Sequence, residues 1–67
     1  MRMTCDVPVA GRVYGLGRNA AYEAARTGKI PAIRIGNRLI ALIGPMAEEL
    51  GQPVEAVVEA IEEIEAA

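Results

Sequence analysis

Residues 13–31 constrain the fold most, because they combine a glycine-rich turn with one uninterrupted helix-forming segment. Two glycines flank Leu16, so the chain can turn sharply there while one apolar side chain holds the corner. Residues 18–26 contain no proline and no β-branched residue, and four of them are alanine. Gly28 then supplies a left-handed residue after the helix, and Pro31 prevents the helix from resuming. The stretch predicts a tight turn followed by a short helix with a defined end.

A second helix-forming segment precedes this turn. Asp6 is a favourable N-cap, and Pro8 suits a first helical turn, where its missing N–H needs no partner. We predict a helix over roughly residues 7–14, in which Gly11 allows another element to approach closely. One face of this helix is apolar and consists of Val7, Ala10, Val13 and Tyr14. Two short helices joined by a three-residue, glycine-containing turn are typical of the DNA-binding helix-turn-helix.

The predicted second helix carries the candidate residues for reading DNA bases. Ala21 and Ala25 are assigned to its inward face, with Tyr22 as a further candidate for that face. On the outer face, Arg18 can bridge the O6 and N7 atoms of guanine, and Asn19 can bridge N6 and N7 of adenine. Capping of the helix is an equally good interpretation of Asn19.

Two further outer-face residues, Glu23 and Arg26, carry opposite charges three positions apart. Glu23 can accept a hydrogen bond from cytosine N4. Pairing of Glu23 with Arg26 or Lys29 on the protein surface is the favoured interpretation, because residues at this spacing are neighbours on a helix.

Residues 32–43 have the alternation and the turn of a β-hairpin. Isoleucines alternate with Arg34, and the dipeptide Gly36-Asn37 can form a two-residue turn because both residues tolerate a positive φ. The segment Leu39–Ile43 then returns as the second strand. Arg34 and Arg38 stand on either side of the turn, so the hairpin predicts a cationic wing for phosphates or the minor groove.

The strand Leu39–Ile43 is apolar on both faces, so another element must bury its second face. Gly44-Pro45 is expected to end the strand, and a short helix over residues 46–50 is expected to stop at Gly51. A final helix is predicted over residues 53–66, with Pro53 as its first residue. Its apolar stripe consists of Val54, Val57, Val58, Ile61 and Ile64. We favour this stripe as cover for the chain's own strand over a dimer or partner surface.

The charged residues divide the chain into two unequal parts. Residues 1–38 contain all seven basic residues and two acidic ones, a net charge of +5. Residues 39–67 contain seven acidic residues and no basic one, a net charge of −7. The overall net charge of −2 conceals this asymmetry. Positive charge concentrated around a helix-turn-helix pattern favours nucleic-acid binding over a merely solvated surface.

Several classes of function are disfavoured by what the sequence lacks. Its 67 residues predict one small domain with neither a signal peptide nor a transmembrane segment. Residues 1–5 are expected to form a loose arm. The chain has no histidine, so neither a protein-only metal site nor activation of Cys5 as a nucleophile is expected, and no cofactor is expected. An enzyme is therefore not predicted.

The order of the motifs from the second helix to the wing is specific. It consists of Tyr22, Gly28, Lys29-Ile30-Pro31, Ile33-Arg34-Ile35-Gly36 and Arg38. This pattern resembles the excisionase-type winged-helix DNA-binding domain, a small relative of the MerR superfamily, over residues 6–50. The resemblance implies a recognition helix in the major groove that acts through Arg18, Asn19, Tyr22, Glu23 and Arg26. It implies a wing and backbone contacts that act through Lys29, Arg34, Asn37 and Arg38.

The sequence departs from that family pattern at three places. Gly17 stands where the family usually has a serine or threonine cap, which weakens the start of the recognition helix. Leu39 replaces a common aromatic residue, and residues 40–43 replace a more polar strand end. The final helix extends beyond the family pattern, so the resemblance implies no role for it.

The expected fold is α+β: a small winged helix-turn-helix over residues 6–43, extended by acidic C-terminal helices over residues 44–67. The resemblance implies a non-enzymatic excisionase, or recombination directionality factor, of a phage or mobile element. Its partners would be double-stranded DNA and an integrase in the bacterial cytoplasm and nucleoid, with self-association on DNA or through the apolar stripe of the final helix. A small transcriptional regulator is the alternative function, and an antitoxin or adaptor acting through the final helix is another.

Overall fold

Two helices joined by a four-residue turn, one residue longer than predicted, form most of the first half of the fold in the computed structural model, which describes residues 2–67. Within these residues the chain forms four helices and three strands, so the predicted α+β class is confirmed. In chain order the elements are β1 (Thr4–Asp6), α1 (Val7–Val13), α2 (Arg18–Arg26), β2 (Ala32–Ile35), β3 (Arg38–Leu42), α3 (Ile43–Leu50) and α4 (Val54–Ala66).

The turn between α1 and α2 lies where the sequence predicts it. Gly15 adopts φ +80°, a left-handed conformation, and the amide of Leu16 donates to the carbonyl of Gly11 over 2.7 Å. The predicted close approach at Gly11 is also confirmed, because a Cβ built there would lie 2.2 Å from the Cβ of Ala21 in α2. The end of α2 is fixed by Gly28, which has φ +84°.

The three strands form one antiparallel sheet in the order β1-β3-β2. The predicted hairpin is confirmed, with Ile35 opposite Arg38 across the Gly36-Asn37 turn. The predicted loose arm is wrong for the described residues 2–5, and Met1 lies outside the described part. Residues 4–6 form β1 on the second edge of β3, which buries Cys5 opposite Ala41. A three-residue strand has too little alternation to be visible in the sequence, and its partner is distant in the chain.

The helix α3 begins at Ile43, three residues earlier than predicted. Gly44 and Pro45 were expected to end the strand after Ile43, but the strand ends at Leu42 and both residues lie in the first turn of this helix. A proline is tolerated there because the first amides of a helix have no intrahelical acceptor. The predicted stop at Gly51 is confirmed, with φ +67° at that residue.

The hydrophobic core draws on every region of the chain, and it is built largely from small side chains. Five of its members are alanines of α1, α2 and β3 that let these elements pack closely. The largest fully buried side chains are Ile30, Ile43, Met46, Ile61 and Val7. Because three of these five belong to α3 and α4, the C-terminal helices are part of the same core as the N-terminal half.

The final helix packs inward, as the favoured interpretation predicts, but mainly on α1 and α3. Val57 and Ile61 are buried, whereas Ile64 is half-buried. Pro53 is the N-cap rather than the first residue of α4. At the other end, the Arg2 guanidinium donates to both carboxylate oxygens of Glu65, at 2.5 and 2.6 Å, and so ties the start of the sheet to α4.

The outer face of the sheet is only partly buried, whereas the prediction has the second face of Leu39–Ile43 covered by another element; Ile40 and Leu42 on this face are half-buried. Side chains alternate along a strand, and Cys5 and Ala41 point into the core. The opposite face of the β2–β3 hairpin therefore carries aliphatic side chains that point away from the core. Ile33 and Ile35 on this face are 44% and 56% exposed. No helix of the described residues is long and apolar enough to cross a membrane.

Candidate nucleic-acid interface

The helix α2 turns three of its four alanines inward and its long polar side chains outward. Ala21, Ala24 and Ala25 are buried against the core, which fixes the orientation of the helix. The exposed side therefore contains all five predicted recognition residues, which are Arg18, Asn19, Tyr22, Glu23 and Arg26. The alternative inward assignment of Tyr22 is wrong, because this side chain is 40% exposed.

The first turn of α2 begins at Gly17, which holds the N-cap position without a side-chain bond. Asn19 is the second helical residue, so it is not the cap of this helix. The guanidinium carbon of Arg18 lies 6.0 Å from the ring centroid of Tyr22, at the outer limit of a cation–π contact. These two exposed side chains place one positive charge beside an aromatic ring at the start of the helix.

Glu23 and Arg26 form an ion pair on the surface of α2, as predicted for these two residues. Both side chains are mostly exposed, so the pair contributes little to stability. Lys29 is the other predicted partner of Glu23. It is exposed beyond the end of α2, beside a shallow depression that Leu16 and Ala20 also line.

The hairpin turn places its two arginines on opposite faces of the sheet. Arg34 lies opposite Leu39, and Arg38 lies opposite Ile35. Because side chains alternate, Arg34 belongs to the face that continues into the core, and Arg38 belongs to the outer face. Both are exposed, as is Asn37 at the turn.

An open groove of about 390 Å³ joins the start of α2 to the hairpin turn. It brings together Arg18 and Tyr22 from α2 with Asn37 and Arg38 from the hairpin. Its floor and rim are completed by the beginning of α1, and the lining residues are Asp6, Val7, Pro8, Val9, Arg18, Tyr22, Asn37, Arg38 and Leu39. The predicted residues Asn19, Glu23, Arg26, Lys29 and Arg34 lie outside it.

Asp6 is a residue of this groove that sequence reasoning missed. It was predicted only as an N-cap of α1, and it does occupy that position, but its side chain makes no capping bond. Its carboxylate instead accepts a hydrogen bond of 3.1 Å from the guanidinium of Arg38. The two residues are 32 positions apart and meet only because β1 pairs with β3, which no local pattern indicates.

The acidic side chains lie mostly on the C-terminal helices. Seven glutamates belong to α3 and α4, and one of them, Glu65, is paired with Arg2. Of the described residues that line the groove, Asp6 alone is acidic, against Arg18 and Arg38. The fold therefore keeps the groove cationic in a chain whose overall charge is negative.

The described residues offer little reactive chemistry elsewhere. They contain no group of three acidic or cysteine side chains placed to hold a metal ion. Burial raises the pKa of the Cys5 thiol to about 11, so this thiol stays protonated near neutral pH. Comparison with protein-family models, curated proteins and solved structures gives no match to this chain.

Proposed function

We propose that the chain binds double-stranded DNA as a small winged helix-turn-helix, with α2 in the major groove and the β2–β3 hairpin as the wing. The observation that carries this proposal is the groove in which Arg18 and Tyr22 of α2 face Asn37 and Arg38 of the hairpin. Two elements that contact different parts of a duplex thus share one cationic surface.

The proposed contacts divide into base reading and phosphate binding. Arg18 and Asn19 occupy the N-terminal turn of α2, the end of a recognition helix that points at base edges. Arg34, Arg38 and Lys29 are proposed to bind phosphates, since exposed cations need no fixed geometry for that role. A cation–π contact with Tyr22, whose ring centroid is 6.0 Å from the guanidinium carbon, is proposed to restrict the Arg18 side chain before it contacts guanine.

We further propose that the chain acts as an excisionase, a DNA-bending accessory protein that helps an integrase to excise a phage or mobile element. This proposal rests on the resemblance of the motifs between Tyr22 and Arg38 to that family. A transcriptional regulator would use the same DNA surface. An adaptor acting through α4 has less support, because Val57 and Ile61 of the apolar stripe are buried within the chain itself.

Salt-dependent binding to a short random-sequence duplex tests the DNA surface. Arg34→Ala and Arg38→Ala should each weaken binding and reduce the magnitude of the slope of log affinity against log salt by about one. Each variant forms one phosphate contact fewer, so its binding releases fewer counterions from the DNA. Arg2→Ala is the matched control, since it removes the same charge from a side chain paired with Glu65 outside the groove. Equal effects of all three substitutions would refute the assignment of the wing.

The excisionase proposal is tested by the electrophoretic mobility of the protein–DNA complex, measured for fragments of equal length that carry the bound site at different positions. The complex should migrate most slowly when the site is central, because a bend there shortens the fragment most. Where an integrase gene lies beside the gene for this chain, addition of the chain to a reaction containing that integrase should increase excision and decrease integration. Binding without bending, and without effect on recombination, would favour the regulator.

A further inference from the structure

The ion pair between Asp6 and Arg38 belongs to the lining of the proposed DNA-binding groove and occupies one of its two cationic groups. The carboxylate oxygen and the guanidinium nitrogen are 3.1 Å apart, and both side chains are more than half exposed. A phosphate that binds Arg38 would use the same guanidinium N–H groups. Under the proposed function, the Asp6 carboxylate therefore competes with DNA phosphates for the Arg38 guanidinium.

The same carboxylate is placed to cap the N-terminus of α1, but it makes no capping hydrogen bond in this structure. Asp6 holds the N-cap position of α1 with an extended backbone, φ −68° and ψ 148°. An N-cap oxygen accepts from the second or third amide of its helix. The second residue of α1 is Pro8, which has no N–H, so Val9 supplies the only suitable donor.

We propose that Asp6 exchanges partners when DNA binds. In the free chain its carboxylate holds Arg38 in the groove in place of a phosphate. A DNA phosphate displaces it from Arg38, and the released carboxylate turns to the amide of Val9 and caps α1. Asp6 thus lowers the affinity of the free chain for any polyanion, and the capping bond offsets part of the cost of breaking the ion pair.

This inference rests on the proposed function, and a double-mutant cycle separates it from simple repulsion between Asp6 and DNA. Asp6→Asn removes the charge but keeps a good N-cap, so the fold should be retained. Asp6→Asn should tighten binding to a short random-sequence duplex roughly two- to five-fold, which corresponds to the strength of an exposed ion pair. In the Arg38→Ala background the same substitution should leave the affinity unchanged, because the competition has been removed. Glu59→Gln on α4 is the matched control for loss of one negative charge.

Each outcome of the cycle has a defined meaning. Equal tightening by Asp6→Asn in both backgrounds would show simple repulsion and overturn the exchange, as would an unchanged affinity in the wild-type background. If the wild-type chain binds no duplex, the proposed function fails and the exchange with it. If it binds and Arg38→Ala weakens it while Asp6→Asn has no effect, only the exchange fails.

Hydrogen exchange at the Val9 amide tests the second half of the proposal. Saturating duplex should slow exchange at Val9 in the wild-type chain, because the amide gains an acceptor. The slowing should be absent in Asp6→Ala, which has no side-chain oxygen. Equal slowing in both chains would reflect cover by DNA rather than capping by Asp6, and would overturn that half of the proposal.

Discussion

Gly11 of α1 and Ala21 of α2 are in such close contact that a Cβ on Gly11 would lie 2.2 Å from the Cβ of Ala21. This contact sets the separation of α1 and α2. In an exposed helix, Gly→Ala stabilises by about 1 kcal/mol. Here we expect the opposite sign. Gly11→Ala should destabilise the chain by about 1–3 kcal/mol through overpacking, measured as the free energy of unfolding in urea.

The reciprocal substitution provides the control for this contact. Ala21→Gly alone should cost about 1 kcal/mol from helix propensity. Combined with Gly11→Ala it removes the clash, so the double variant should be more stable than Gly11→Ala alone. A double variant with the summed loss of the two single ones would contradict a direct contact.

The burial of Ile61 predicts a large stability difference between two chemically identical substitutions. Ile61 of α4 is fully buried, whereas Ile33 of β2 is 44% exposed. Ile61→Thr should lower the free energy of unfolding by at least ~2 kcal/mol, because it places a hydroxyl and a small void in the core. Ile33→Thr should change it by less than about 0.5 kcal/mol. Thermal melts decide the comparison, since 1 kcal/mol shifts Tm by ~4–8 °C in a domain of this size. Similar values for both variants would mean that α4 is not part of the core.

Tyr14 predicts a loss of stability at alkaline pH. Burial, together with its hydrogen bond of 3.1 Å to Glu49, raises the pKa of Tyr14 to about 12 from an ordinary value of about 10. The folded chain retains this proton where the unfolded chain loses it, so the stabilisation is present below pH ~10 and is lost as the pH rises towards 12. Cys5 adds a loss of the same sign, because its pKa is also raised.

Tyr14→Phe isolates the tyrosine term, because Cys5 is common to both chains. Urea unfolding near pH 8 and again near pH 11 should show a smaller loss of stability for Tyr14→Phe than for the wild-type chain between the two values. Parallel losses in the two chains would place Tyr14 in an ordinary solvent environment.

The assignment of base reading to α2 is tested by comparing two DNAs. On a site selected from random oligonucleotides, Arg18→Ala or Asn19→Ala should each cost roughly 1–3 kcal/mol of binding free energy. On random DNA each should cost much less, because base contacts supply specificity while phosphate contacts supply position. Arg34→Ala is the control and should cost the same on both DNAs. Equal losses for Arg18→Ala on both DNAs would leave specificity to DNA shape.

Local sequence patterns predict the elements whose partners are close in the chain. The bounds of α2 follow from an alanine-rich segment between Gly17 and Gly28, and the β2–β3 hairpin follows from its Gly36-Asn37 turn. These elements are fixed by backbone conformation and by neighbouring residues. For the same reason, the outward position of Arg18, Asn19, Glu23 and Arg26 could be derived from the alanine pattern, whereas that of Tyr22 could not.

The features that sequence reasoning missed depend on distant contacts. The strand β1 exists because β3 has a free edge, and the Asp6–Arg38 pair exists because β1 lies there. The early start of α3 depends on the fully buried side chain of Ile43, which no local rule reports. The contributions of α2 and the hairpin turn to the groove therefore follow from the motifs. The contribution of Asp6 follows only from the pairing of β1 with β3.

The central claim is that α2 and the hairpin form one DNA-binding surface, and an NMR titration tests it most directly. Amide spectra of the isotope-labelled chain would be recorded as a short random-sequence duplex is added at low salt. The largest shift changes should fall at Arg18, Tyr22, Asn37 and Arg38, while residues 54–66 of α4 should change little. Shift changes concentrated on α4, or none at an excess of duplex, would contradict the claim.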